Sequence, residues 1–294
     1  MRSAALYILS ALYFAGEFPQ PAAALTFDRY HDLSEINSYM KEVALEFPET
    51  VRLVRLGVSR EGRDIYCLII AGDTTELKAN VMINAGHHGD EFAASEATVG
   101  LIRHFLEEIS DPSIDRLLGR FRLFILPVVN PDGYVGGSRY DTVGIDPNRD
   151  YAFPGRLEVD AFQIPETRVI RDLMERHHFM GAITVHSGME GVLWPWCYSA
   201  EPPPHAAQFM RLARASAQAM DMLYISQSFH DYETTGEFID YAYMKHGSLA
   251  LTFEISQIHR PPPERLMESV ERTIRGTVSY LRELEGILNL DYPG

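Results

Sequence analysis

The chain has 294 residues, 46% of them hydrophobic, and 26 Lys plus Arg against 41 Asp plus Glu give a formal charge of -15. A chain of this size can bury one large core, so a single compact domain is its simplest organisation. The negative charge argues against nucleic acid or an anionic membrane surface as a partner.

At the N-terminus, Arg2, the apolar run from Ala4 to Ala15, Pro21 and Ala22-Ala23-Ala24 have the layout of an export signal cleaved after Ala24. The run falls short of the ~20 apolar residues that a spanning helix requires, and no later segment reaches that length. A secreted or periplasmic protein is expected, with residues 1–24 as the signal peptide, residues 25–294 as the folded domain, and no membrane association after cleavage. That cleavage removes one Arg and one Glu, which leaves the charge at -15. Cys67 and Cys197, in segments that both read as strands, are too few for a disulfide framework. They could form one bridge or serve as two small core residues.

From Leu33, the apolar residues Leu33, Ile36, Met40, Val43 and Phe47 recur at helical spacing, Asp32 and Glu35 have capping-box spacing, and Pro48 ends the pattern. Strands over Val51–Leu56 and Ile65–Ala71 flank Ser59-Arg60-Glu61-Gly62 and predict a hairpin. A short buried strand at Val81-Met82-Ile83, a polar loop from Gly86 to Asp90 and a helix from Phe92 to Ile109 follow. Next come a strand from Phe121 to Val129, a helix from Pro165 to His177, a strand from Gly181 to Val185 and a helix from His205 to Ala219. A strand from Ser248 to Ile255 and a closing helix from Pro263 to Leu288 complete the order. Apolar strands alternating with helices predict an α/β fold, with a mixed, mostly parallel β-sheet covered by helices on both faces.

Sites on such sheets form where loops leave the carboxyl ends of strands. His88 and Glu91 follow the strand at Val81, Asn130 follows the strand at Phe121, and His186 closes the strand at Gly181. An imidazole and a carboxylate three positions apart, with a third ligand from elsewhere, can make a catalytic zinc site that keeps a fourth position open. On spacing alone, a surface loop pair is the better reading of His88 and Glu91, and His87 with Asp90 has the same separation. Glu254 stands among Leu251, Phe253 and Ile255, where an acid is costly unless it is satisfied or used. There is no G-x-S-x-G elbow and no H-E-x-x-H.

Six ordered segments resemble the zinc carboxypeptidases of the carboxypeptidase A type. They are Gly86-His87-His88-Gly89-Asp90-Glu91, Asn130-Pro131-Asp132-Gly133-Tyr134, Gly144-Ile145-Asp146-Pro147-Asn148-Arg149-Asp150, His186-Ser187, the run from Tyr232 to Tyr241, and Thr252-Phe253-Glu254. The resemblance implies one Zn2+ per chain held by His88, Glu91 and His186, with Glu254 as the general base. It implies that Arg139, nine positions before Asn148, stabilises the oxyanion, and that Asn148 and Arg149 grip the free C-terminal carboxylate of a peptide substrate. Tyr232 would close over the substrate, and Ile239 at the pocket floor would favour apolar or aromatic C-terminal residues. Glu237, two residues away, could instead give that pocket a negative charge.

Some positions depart from the family pattern. Gly89-Asp90 and Gly188 stand where digestive members carry an arginine and an aromatic, which alters the outer subsites. No stretch of prodomain length separates Ala24 from the first helix, so inhibition in cis is not expected. The expected protein is a monomeric metallocarboxypeptidase. Two alternatives are a murein-peptide carboxypeptidase or amidase acting beside diaminopimelate or a D-residue, and a catalytically inactive peptide-binding module.

Overall fold

The computed structural model describes residues 25–72 and 78–291, so the expected signal peptide lies outside the described residues. Helix α1 (Leu33–Glu46) starts at the expected capping box: Asp32 accepts from the Glu35 N–H at 2.9 Å, and Glu35 accepts from the Asp32 N–H at 2.9 Å. Strands β1 (Val51–Val58) and β2 (Asp64–Ile70) form the expected hairpin, with Val51 paired to Ile70. Then come β3 (Ala79–Ala85), α2 (Phe92–Glu107), α3 (Pro112–Arg120), β4 (Phe121–Leu126) and α4 (Pro131–Gly136). They are followed by α5 (Pro165–Arg176), β5 (Phe179–His186), β6 (Met189–Trp194), α6 (Ala206–Ala219), β7 (Ile225–Gln227) and α7 (Ser228–Asp231). Helix α8 (Phe238–His246), β8 (Leu249–Ser256) and α9 (Leu266–Asp291) close the fold, and a separate 3-10 turn over Pro263–Arg265 precedes α9.

These strands form one mixed sheet in the order β1-β2-β4-β3-β5-β8-β6-β7. Its centre is parallel, from β4 through β3 and β5 to β8, and the two flanks bring in antiparallel pairs. Successive strand side chains point to opposite faces, and this alternation divides the core in two. Val81, Ile83, Leu123, Ile125, Ile183 and Val185 pack in the cluster that also holds residues of α1, α2, α6 and α9. Met82, Phe124, Leu126 and Ala182 pack with α5 and α8 on the opposite face. The predicted α/β architecture, a mostly parallel sheet with helices on both faces, is the one observed.

The differences from expectation are local. Strand β4 ends at Leu126 because Pro127 has no N–H to offer a ladder. The chain then runs to Asn130, whose side chain accepts from the Gly133 N–H at 2.9 Å and starts α4. Cys197 is not in a strand. It follows the end of β6, and its N–H donates to both carboxylate oxygens of Asp240 at 3.0 Å. Cys67 and Cys197 are buried free thiols, so the small-core reading applies. Helix α8 went unpredicted because Phe238, Ile239, Tyr241, Ala242 and Tyr243 are all buried, leaving no polar face to reveal a helical period.

Candidate metal centre and active site

The sheet brings distant residues to one edge. Ala85 ends β3 and His88 lies three residues on, while Glu91 is the residue from which α2 starts. His186 is the last residue of β5 and stands in register with Glu254 of the adjacent parallel strand β8. Asp146 starts a 3-10 turn, Pro147–Arg149, by accepting from the Asn148 N–H at 2.8 Å, and that turn presents Asn148 and Arg149. Asn130 holds the loop that carries Arg139, since its Nδ2 donates to the Tyr140 carbonyl at 3.2 Å and the His87 carbonyl at 3.3 Å.

His88, Glu91 and His186 are buried, and one ligand atom from each lies within 4.8 Å of the others. Nδ1 of His88 is 2.6 Å from one Glu91 oxygen, and Nδ1 of His186 is 3.0 Å from the other. The Nε2 atoms are engaged elsewhere: that of His88 lies 3.0 Å from Asp146 Oδ1, and that of His186 lies 3.2 Å from Thr184 Oγ1. A carboxylate can only accept, so both His88 nitrogens face acceptors; a cation between His88 and Glu91 would take the Nδ1 lone pair while Nε2–H donates to Asp146. Lone pairs from two imidazoles and a carboxylate thus converge on one point, which a cation would stabilise. This is a donor set suited to zinc, with a second-row carboxylate fixing one imidazole.

The electrostatics agree. Burial works against the charge on Glu91, but the His186 and His88 rings hold its carboxyl well below the usual range. Burial also opposes charge on Asp146, and His88 and Arg139 likewise keep that carboxyl low. His88 is pushed up to about 9, because Asp146 and Glu91 overcome the burial that would lower it. The centre therefore attracts positive charge. His87 differs: burial and the two neighbouring imidazoles lower it well below the ordinary value, and its Nε2 pairs with the Tyr151 hydroxyl at 2.8 Å. Asp90 pairs with His259 at 3.3 Å while His87 pairs with Tyr151, so His87 and Asp90 do not make the alternative ligand pair.

A cavity of about 210 Å³ adjoins this centre and is lined by residues that include Arg139, Asn148, Arg149, Tyr232, Glu237 and Glu254. A larger cleft of about 710 Å³, between Lys78, Arg120 and Glu285, contains none of them. Glu254 has one buried oxygen without a hydrogen-bond partner, and burial together with the Glu91 carboxylate pushes its acid well above the ordinary range. Arg139 donates to Asp146 at 3.0 Å, and its Nη1 is 3.2 Å from His88 Nδ1. Arg149 donates to the Tyr232 hydroxyl at 2.8 Å and to the Asn148 carbonyl at 2.7 Å, while Asn148 Oδ1 accepts from the Phe238 N–H at 3.0 Å. Tyr232 is 55% exposed.

Eight of the nine residues expected in the site line the cavity; Ile239 does not. It is 1% exposed and packs in the α5–α8 side of the core, whereas Glu237 borders the cavity. One participant was not read from the sequence: Asp146 lies within the Gly144–Asp150 motif, but its tie to His88 spans 58 residues. Glu237, the possible source of negative charge in the pocket, borders the cavity just before a helix that the apolar pattern concealed.

Residues 36–276 match the family model described as zinc carboxypeptidase. Mouse carboxypeptidase A4 is 29% identical over 263 residues, covering 77% of this chain and 62% of the relative. Mouse carboxypeptidase A1 is 26% identical over 267 residues, covering 79% of this chain and 64% of the relative, so this chain spans a little under two thirds of these relatives. Among solved structures, carboxypeptidase A from Helicoverpa armigera superposes with a TM-score of 0.84 at 24% identity, over 92% of this chain and 77% of its own. This fold, together with the family match across most of the sequence, shows that the chain belongs to the zinc carboxypeptidase family.

Proposed function

We propose that this chain is a zinc-dependent metallocarboxypeptidase that hydrolyses the C-terminal peptide bond of peptides with a free carboxylate. The observation that carries this reading is the placement of Arg149 in the same cavity as Glu254 and the His88, Glu91 and His186 cluster. A guanidinium can hold a terminal carboxylate through two parallel hydrogen bonds, and an endopeptidase has no use for such a clamp.

His88, Glu91 and His186 would hold one zinc, which when bound supplies Lewis acidity toward the scissile carbonyl and the attacking water. Glu254 takes the water proton and passes it to the leaving amine. Arg139, close to His88, donates to the oxygen that becomes negative. Asn148 and Arg149 fix the terminal carboxylate, and Tyr232 gives up its bond to Arg149 when substrate arrives.

Residues 1–24 are proposed to direct export, and the mature domain is proposed to act as a monomer. Among the described residues, no helix is long and apolar enough to cross a membrane. The presence of all three ligands and of Glu254 weighs against a purely binding role. Glu237 on the cavity wall keeps a murein-peptide substrate in consideration, because diaminopimelate carries an amine that a carboxylate can recognise. The apolar preference expected from Ile239 is not retained, since that side chain packs in the core.

The test is release of the last residue from an N-blocked dipeptide and from its C-terminal amide. The free acid should be cleaved and the amide spared. Equal cleavage of both would remove the carboxypeptidase reading.

A further inference from the structure

Among the described residues, Glu237 is the cavity-lining carboxylate that belongs neither to the metal centre nor to the proton transfer and that is ion-paired to the proposed substrate clamp. Its side chain lies 3.2 Å from Arg149 Nη1. The Thr234 hydroxyl donates to the same carboxylate oxygen, and the Cys197 thiol donates to the other at 3.3 Å. Glu237 is only 7% exposed, and it stands just before α8 with extended backbone, so its side chain is not drawn into the helix. Gly236, with φ +75°, lets the chain pass the Arg149 carbonyl at a distance where a Cβ would fall 2.5 Å from that oxygen. The local fold thus sets a carboxylate beside the clamp.

Among the described residues, Arg139 and Arg149 are the only Lys or Arg lining the cavity, Arg139 is engaged by Asp146, and Asp231 adds a further carboxylate to the wall. When a peptide places its terminal carboxylate on Arg149, one guanidinium faces two carboxylates in a confined space. An apolar side chain leaves that excess negative charge uncompensated, which is costly away from water. A side chain ending in a cation neutralises it and adds a charge-assisted hydrogen bond. Met189 and Leu193, also on the wall, suit the methylene stem that such a side chain brings.

On the carboxypeptidase reading above, we propose that Glu237 is a specificity-determining residue that selects C-terminal residues with an ammonium or guanidinium group. Lysine, arginine and diaminopimelate share this chemistry, and ordinary peptides and murein peptides are its two sources.

The experiment uses the zinc-loaded protein and N-blocked dipeptides ending in Lys, Arg, diaminopimelate, norleucine or Phe. Lysine and norleucine share an aliphatic stem and differ in the ammonium. The kcat/KM ratio of Lys to norleucine should be ~10 to 100 in the wild type, as one charge-assisted bond implies, and about 1 or below in Glu237→Gln. A Lys-over-diaminopimelate preference assigns the substrate to ordinary peptides, and the reverse assigns it to murein; either order supports cation selection. Norleucine equal to or better than Lys in the wild type overturns the proposal. So does a Glu237→Gln variant that slows every substrate by one factor, since Glu237 would then only brace Arg149. Should that variant fail to fold, product inhibition of the wild type decides: free L-lysine should bind ~10-fold more tightly than L-norleucine, and equal binding overturns the inference. If the wild type releases none of the five residues, the carboxypeptidase reading itself fails and this proposal falls with it.

Discussion

Oδ1 of Asp146 lies 3.0 Å from Nε2 of His88, and Oδ2 of the same carboxylate accepts from Arg139 Nε at 3.0 Å. One acid therefore holds both an imidazole of the candidate metal centre and the guanidinium beside it. Asp146 also starts the turn that presents Asn148 and Arg149, so the candidate metal centre and the proposed carboxylate clamp are joined through a single side chain.

Asp146→Asn should keep the turn, because an amide oxygen can still accept from the Asn148 N–H. It removes the charge that holds His88 with its Nδ1 lone pair toward the metal. Zinc affinity is expected to fall about 10- to 100-fold, read by competition against a chelator, with turnover recovering in part as zinc is raised. Unchanged zinc affinity would show that His88 is oriented without Asp146.

Gly236→Ala tests how closely the clamp depends on its backbone. The added methyl would sit 2.5 Å from the Arg149 carbonyl oxygen at a residue with φ +75°. The backbone of Arg149 must then move, at a cost of roughly 1–3 kcal/mol shared between stability and substrate binding. KM should rise while zinc content stays at the wild-type level. A parallel loss of zinc would mean that the disturbance reaches His88 and Glu91.

Asp240 sets a pH dependence of stability. Burial is the main cause that lifts its carboxyl from the ordinary 3.8 to about 7, against the bonds from the Cys197 N–H. Between those two values the folded chain holds a proton that the unfolded chain has released. This group's contribution to stability therefore falls as pH rises through that window and is level on either side. Each unit corresponds to about 1.4 kcal/mol, which makes the effect of order a few kcal/mol. Asp240→Asn removes it. The stability of the wild type relative to this variant, from denaturant titrations at several pH values, should decline from pH 4 to pH 7, and a constant difference would refute the assignment.

Sequence reasoning recovered the central sheet because β3, β4, β5 and β8 are short apolar runs whose neighbours in the chain are amphipathic helices. It placed His186 and Glu254 on separate strands, but their adjacency depends on β5 pairing with β8 in register, a relation no local pattern contains. The choice between His87 and His88 was open for a similar reason, since both have a carboxylate three residues on. It is decided by what surrounds each ring: Tyr151, Thr184 and Phe238 around His87, and Asp146 with Glu91 around His88.

Glu237 and Ile239 show the limit from the other side. In an irregular strand or loop, residues 237 and 239 would point the same way, and the floor of the pocket could be assigned to either. Helix α8 begins at Phe238, which turns Ile239 into the core and leaves Glu237 outside the first turn, facing the cavity. A helix apolar around most of its circumference gives no periodic signal, so the sequence could not say which residue borders the cavity.

The most direct test measures zinc content and turnover on one sample of Glu254→Gln. The account predicts about one zinc per chain, as in the wild type, with peptide hydrolysis reduced by about 100- to 10,000-fold, because only the proton acceptor is lost. Turnover at the wild-type rate, or a wild-type protein that takes up no zinc at all, would contradict it.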